Sequence, residues 1–393
     1  MKLEDCVSFH NGRAIKKNVG SGYPIYGSNG ILGEAPDHLY ENAIILGRVG
    51  AYCGSVQIEK GKFWASDNTI VIKPTQKVDI DFLYHYLHFM DLNRLAGGSA
   101  QPLLTHTLLK DIELILPEIK QQIAIGKFLA TVDENISVNE SAVADLYNLM
   151  KLVYKQWFLD FNFPWRGMDA YRGDGGEFQY SNEAEREIPV GWKYVELGEL
   201  VESINTGLNP RQNFKLGEGT NYYVTIKNLK NGKLILDDKC DRVTDEALSM
   251  ISKRSKVEAG DILFTSIEPV GVTYYVPKDP TNWNINESVF SLKANTKKVT
   301  SEFLFSLLSD DDIKVYTKNV SAGSIHKGIR HSTLKQYGTL LPERSVIESY
   351  SDFSRPILKK IDELNNQIAE LEYLKSWITP QVLTGLVEFS LAV

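Results

Sequence analysis

His106-Thr-Leu-Leu-Lys-Asp-Ile-Glu-Leu-Ile-Leu-Pro-Glu118 is echoed by His331-Ser-Thr-Leu-Lys-Gln-Tyr-Gly-Thr-Leu-Leu-Pro-Glu343, at an offset of 225 residues. The same offset carries Gly98-Ser99 to Gly323-Ser324. It also carries Phe128, Ile136, Ala144, Leu146 and Leu149 to Phe353, Ile361, Ala369, Leu371 and Leu374. A solenoid repeat would run at roughly 20–50 residues, so this is a duplicated domain-plus-helix unit. Two similar modules on one chain suggest a pseudo-symmetric object that grips something two-fold, such as a duplex.

Each Leu-Pro-Glu places a proline and an acid in the first turn of a helix. From Ile125 the apolar positions then step by four and three through Leu129, Val132, Ile136, Val143, Leu146, Met150, Val153 and Trp157, broken at Asn139. The second copy runs through Tyr350, Ile357, Ile361, Leu364, Ile368, Leu371 and Ile378, broken at Ser354 and Lys375. Spacing of about 3.5 over about four heptads is the coiled-coil pattern; the alternative is an amphipathic helix packed on its own domain. Two complementary seams in one chain predict an antiparallel pair. Asn139 would set its register, and Pro356 would kink the second helix or delay its start.

Upstream of each helix, short β-like stretches alternate with turn residues. Leu3–Gly12 and Leu197–Gly207 open the copies. Ala43–Arg48 and Asp261–Ser266 follow, then a Trp-led strand in each, Trp64–Lys73 and Trp283–Lys293. Phe82 and Phe303 begin helical segments. The expectation is an α+β protein with two similar domains, each carrying a curled sheet and followed by a long helix. Its segments are a first domain over 1–118, a helix over 119–160, a glycine-rich linker over 161–188, a second domain over 189–343 and a final helix over 344–393.

Composition is that of a globular protein, with 43% hydrophobic and 24% charged residues and no sign of bulk disorder. No run approaches a membrane span and the first residues carry acids where a signal peptide needs an apolar run, so a cytoplasmic chain is expected. Cys6, Cys53 and Cys240 lie far apart and read as free thiols. The net charge of −7 argues against nucleic acid. The acids, however, crowd into Arg166–Glu187, while basic clusters stand at Lys253-Arg254, Lys256 and His326–Arg330.

Catalytic constellations are missing. There is no phosphate loop, nucleophile elbow, His-Glu-x-x-His or paired-cysteine site. Asp111, Glu118 and Lys120 could pass for a nuclease cluster, but the second copy has Gln336, Glu343 and Ser345 in their place. Asn162-Phe-Pro-Trp165 faintly echoes a methyltransferase loop and reads instead as a helix stop. His106 and His331 suit a shared structural hydrogen bond as well as a DNA contact.

Several stretches carry a resemblance. They are Ile44–Gly50 followed by Gly54, Trp157–Pro164, Gly175-Gly176-Glu-Phe leading to Ile188–Trp192, and the ending Pro380–Gly385. In this order, and with the duplication, the chain resembles the specificity subunit of type I restriction-modification enzymes. One departure is that Arg48 aligns with Ser266, so the arginine belongs to the first copy alone.

The resemblance implies a non-catalytic reader of a split, asymmetric site in double-stranded DNA. Two methylation subunits would bring S-adenosylmethionine and flip the target adenine. Motor-nuclease restriction subunits would bring ATP and Mg, and no cofactor is expected on this chain. The seam Ile125–Trp157, roughly 48 Å long, would act as a ruler between half-sites roughly five to eight base pairs apart.

Candidate DNA contacts are polar and basic residues on loops. In the first domain they are Lys16, Lys17, Asn29, Arg48, Tyr52, Ser99 and Gln101. In the second they are Arg211, Lys227, Asn228, Ser266, Ser324, His326, Lys327 and Arg330. Two rivals share these residues: a divergent stand-alone nuclease or methyltransferase, and a coiled-coil scaffold that binds proteins alone.

Overall fold

The structure is a computed structural model and describes residues 1–15, 21–97, 102–167, 169–230, 232–321 and 328–385. The chain forms two compact units, Met1–Asn139 with Gln367–Val393, and Glu140–Asn366. Each long helix is therefore divided between the units instead of standing as a segment of its own.

Unit 1 is built on β1 (Val7–Asn11), β2 (Tyr23–Gly27), β3 (Gly30–Ala35), β4 (Tyr40–Gly47), β5 (Val56–Ala65) and β6 (Thr69–Pro74), in the order β1-β6-β4-β5-β2-β3. Neighbours run antiparallel except β2 with β5, where Ile25 faces Trp64. The continuous run Ala43-Ile-Ile-Leu46 is wholly buried because the sheet is covered on both faces at β4. Alternation sends Ile44 and Leu46 into one cluster and Ala43 and Ile45 into another. Helix α1 (Ile80–Phe89) packs Phe82 and Leu83 into the first of these. Its N-terminus is capped by Asp79, which accepts the Phe82 N–H at 2.9 Å. After α2 (His106–Lys110), the expected apolar strand is only a short ladder with the N-terminus, Leu3 N–H to Ile112 and Leu114 N–H to Met1.

The long α3 (Ile119–Tyr154) begins directly after Leu116-Pro-Glu118, so the helix start is where expected but the proline and acid precede the first turn instead of lying in it. The stretch read as a loop or linker is ordered and aromatic. After α3 a π-turn (Lys155–Leu159) leads to Phe161, at φ 62°, and then to the hairpin β7 (Phe178–Ser181) and β8 (Arg186–Pro189). Phe163 stacks between Tyr171 at 4.7 Å and Trp192 at 5.1 Å, and Phe161 is buried beside them. Phe161, Phe163, Tyr171 and Phe178, packed with Trp192, supply the core that the glycines obscured.

Unit 2 continues with β9 (Lys193–Glu196), α4 (Leu197–Leu200), β10 (Val201–Thr206), β11 (Asn221–Val224), β12 (Leu229–Lys230), β13 (Lys233–Leu234) and β14 (Asp241–Val243). Next come α5 (Asp245–Ser255), β15 (Ile262–Thr265), β16 (Thr273–Tyr275), β17 (Trp283–Ile285), β18 (Val289–Ala294), α6 (Ser301–Ser309), α7 (Asp311–Ser321), α8 (His331–Lys335), β19 (Gly338–Leu341) and α9 (Arg344–Leu383). One sheet has the order β10-β18-β15-β16 and a second β14-β11-β17. Read end to end this is the strand order of unit 1, with the long β5 replaced by β16 and β17. The break falls at Val276-Pro277-Lys-Asp-Pro280, where prolines remove the ladder donors. The parallel pair survives, Tyr222 facing Trp283. In both copies the supposed Trp-led strand is two strands with a turn between, after Ala65 and after Ile285.

The antiparallel helix pair is present within each unit. In unit 1, Ile125 and Leu129 of α3 share a core with Val382 and Leu383 of α9. There the seam's polar positions pair off: Lys375 with Asp133, and Asn139 Nδ2 with Gln367 Oε1 at 3.5 Å. In unit 2, Tyr350 packs on Tyr154 and Trp157 and shares a hydroxyl–hydroxyl hydrogen bond with Ser306 at 2.7 Å. Leu129, Val132, Val143, Ile361, Leu364 and Ile368 are buried; Ile136, Leu146, Ile357 and Leu371 are half-buried. At Ile357 the seam passes through the more deeply buried neighbour Leu358. Ser354, expected as a break, is fully buried and donates to the Tyr350 carbonyl at 2.9 Å. Pro356 does not delay the helix, which begins at Arg344 and runs through it.

Among the described residues no helix is long and apolar enough to cross a membrane, and no three His, Cys, Asp or Glu side chains are grouped to hold a metal ion. Cys6, Cys53 and Cys240 are buried free thiols.

Candidate nucleic-acid interface

In unit 1 several loops meet at one end of the sheet, and one carbonyl ties three of them. Asn68, in the turn between β5 and β6, accepts the Arg48 N–H at 2.9 Å and the Ser28 hydroxyl at 2.7 Å. Ser28 in turn accepts the Ser55 hydroxyl at 2.5 Å. The turn after β4 is closed on itself, Cys53 N–H to Gly50, Gly54 N–H to Gly47 and Ser55 N–H to Tyr52. Leu104 N–H reaches the Arg48 carbonyl at 2.9 Å. The result is a rigid platform.

Of the predicted contacts, Asn29, Arg48 and Tyr52 lie on this platform. Asn29 is exposed at the β2–β3 turn, Tyr52 is 58% exposed, and Arg48 is half-buried. Lys16, Lys17, Ser99 and Gln101 lie outside the described residues.

Unit 2 repeats the backbone pattern. Ser266 N–H donates to Ser288 at 2.9 Å and Ile329 N–H to Ser266 at 2.8 Å, the counterparts of the bonds around Arg48. The side chains differ. Ser266 is only 5% exposed and its hydroxyl is engaged by the Ser288 carbonyl at 2.9 Å, so it lines the interior of the turn. Asn228 is also corrected: it is buried, accepts from Thr225 N–H at 2.9 Å and donates to Ile235 at 3.2 Å. With those groups satisfied internally, neither is displayed to a ligand. Arg211, Lys227 and Arg330 are exposed. Ser324, His326 and Lys327 lie outside the described residues.

The paired histidines share a packing role. His106 lies against Phe9, ring centres 5.5 Å apart, and His331 against Phe290 at 4.2 Å. Burial pushes both pKa values down, helped by Arg48 and Lys110 beside the first and by Lys335 and Arg254 beside the second. Both rings therefore stay neutral near pH 7. Sequence reasoning missed Asn68, Ser28 and Ser55. The Ser66-Asp-Asn68 turn signal was there to find, but a single strand had been read across it.

The family profile described as "Type I restriction modification DNA specificity domain" matches residues 1–145 and 189–373. The chain is 34% identical over 162 residues to the EcoprrI specificity subunit of Escherichia coli, a match spanning 39% of this chain and 40% of that protein. It is 23% identical over 354 residues to the MjaIX specificity subunit of Methanocaldococcus jannaschii, covering 88% of this chain and 78% of that one. The crystal structure of the type I restriction-modification S subunit from M. genitalium shares the fold, with a TM-score of 0.65 at 13% identity over 99% of this chain and 96% of that one. The duplicated units, the antiparallel helices and the profile match over both copies agree: this chain belongs to the type I restriction-modification DNA specificity family.

Proposed function

We propose that the chain is the DNA-reading, non-catalytic subunit of a cytoplasmic type I restriction-modification complex. Each unit binds one half of a split, asymmetric site through the loops at one end of its sheet. Adenine methylation falls to two methylation subunits carrying S-adenosylmethionine, and cleavage to motor-nuclease subunits using ATP and Mg. The observation that carries this reading is a shared platform with unlike side chains: the same backbone bonds hold Arg48 in one unit and Ser266 in the other. Two similarly built readers with different chemistry suit two different half-sites.

The test is methylation mapping by long-read sequencing in cells carrying this chain with its methylation subunit. A split adenine-methylated motif that vanishes when the chain is deleted is the expected result. A competent, assembled complex that leaves no motif would favour a protein scaffold instead.

A further inference from the structure

Arg48 is held as few surface arginines are. Its N–H is bound by Asn68, and its carbonyl receives the Leu104 N–H at 2.9 Å and the Cys53 thiol at 3.2 Å. Its side chain is half-buried and has no carboxylate or hydrogen-bond partner among the described residues. In a chain with 50 acidic against 43 basic residues, a half-buried guanidinium without an acid beside it is unusual. Two residues beyond Leu104 stands His106, packed on Phe9, whose Nε2 is buried without a partner. Asn68, alongside, is exposed and its amide has no partner among the described residues, although its carbonyl fixes the turn.

We infer that Arg48 reads a guanine in the half-site bound by unit 1, offering its planar fork to O6 and N7 in the major groove, with Asn68 addressing the neighbouring base pair. This rests on the function proposed above. A phosphate contact asks only for a mobile exposed cation. A half-buried arginine rooted on a locked turn instead has a restricted range of directions for its planar fork, which suits bidentate base readout. The equivalent position of unit 2 has no such device: Ser266 stands there with its hydroxyl engaged by the Ser288 carbonyl, and Asn286 accepts the Ser288 N–H at 3.0 Å. At this position of the platform, the arginine therefore belongs to unit 1 alone.

The experiment is the methylation map of the assembled complex carrying Arg48→Lys, Arg48→Ala or Asn68→Ala. Lysine keeps the charge and loses the fork. With Arg48→Lys, one position of one half-site should lose its guanine preference by about tenfold or more, the other half-site remaining unchanged. Asn68→Ala should relax the adjacent position. If both Arg48 variants keep every base of the motif, whether methylation is undiminished or uniformly weaker, the inference is overturned and Arg48 is a phosphate or surface residue. If the Arg48 variants fail to assemble, an unchanged motif with the exposed Asn68→Ala overturns it. A wild-type chain that directs no split motif counts against the proposed function itself, and the inference falls with it.

Discussion

His85 shows how one side chain links pH to the stability of unit 1. It lies on α1 at 2% exposure, with Nδ1 3.8 Å from the Asp133 carboxylate and Nε2 without a partner among the described residues. Burial pushes its pKa down to about 4; Asp133 and Asp81 oppose that shift, while Lys375 and His88 reinforce it. Unfolded, the ring titrates near 6.5. Above that pH it is neutral in both states and costs nothing. As pH falls from about 6.5 to about 4 the unfolded chain gains the proton first, so stability is lost by up to ~1.4 kcal/mol per unit and then levels off. His85→Leu should flatten this part of the profile. Thermal melts at pH 7, 6 and 5 would show the wild type losing more; equal slopes would refute it.

Gly12 and Gly207 close the opening strand in each copy. A Cβ at Gly12 would overlap the Ser66 carbonyl, and one at Gly207 the Ile285 carbonyl. Backbone cannot swing aside as a side chain can. Gly12→Ala and Gly207→Ala should each destabilise by about 1–3 kcal/mol in urea titration, whereas Gly61→Ala, which would meet only the end of the flexible Glu59 side chain, should cost much less. The sequence showed both glycines at equivalent places, but not the carbonyls that make them necessary.

At the scale of elements, the helices were the most legible part of the chain. A 3.5 spacing is written along one strip of residues and needs no knowledge of distant segments. The polar breaks were legible as positions only. That Lys375 meets Asp133, and Asn139 meets Gln367, depends on the relative register of two segments far apart in sequence. Pro356 does not delay α9, because one missing donor is tolerable in a helix otherwise held by its buried side chains, Ser354, Leu358 and Ile361 among them. If the helices set the half-site spacing, removing one facing heptad from each (Glu140–Leu146 with Lys360–Asn366) should shorten the spacer of the methylated motif and leave the bases of both half-sites unchanged. Altered half-site bases with an unaltered spacer would end the ruler idea.

Across the whole molecule, the duplication, the α+β class and the two long helices with their antiparallel seams could be read from the chain alone. These are local or periodic signals: Leu-Pro-Glu starts a helix, heptads mark a face, and a constant offset marks a copy. The chain also shows that Arg48 and Ser266 occupy equivalent places, which alignment alone can say. The tertiary structure decided what those places do. It divided each helix between two units, turned the glycine-rich stretch 161–188 into a packed aromatic hairpin, and split the second sheet at Pro277 and Pro280. It also withdrew Ser266 and Asn228 from the candidate surface while leaving the Arg48 side chain without a partner among the described residues. Whether a polar side chain is engaged or free depends on which carbonyls and hydroxyls other loops bring beside it. Those neighbours come from across the sheet, and no local pattern in the chain encodes them.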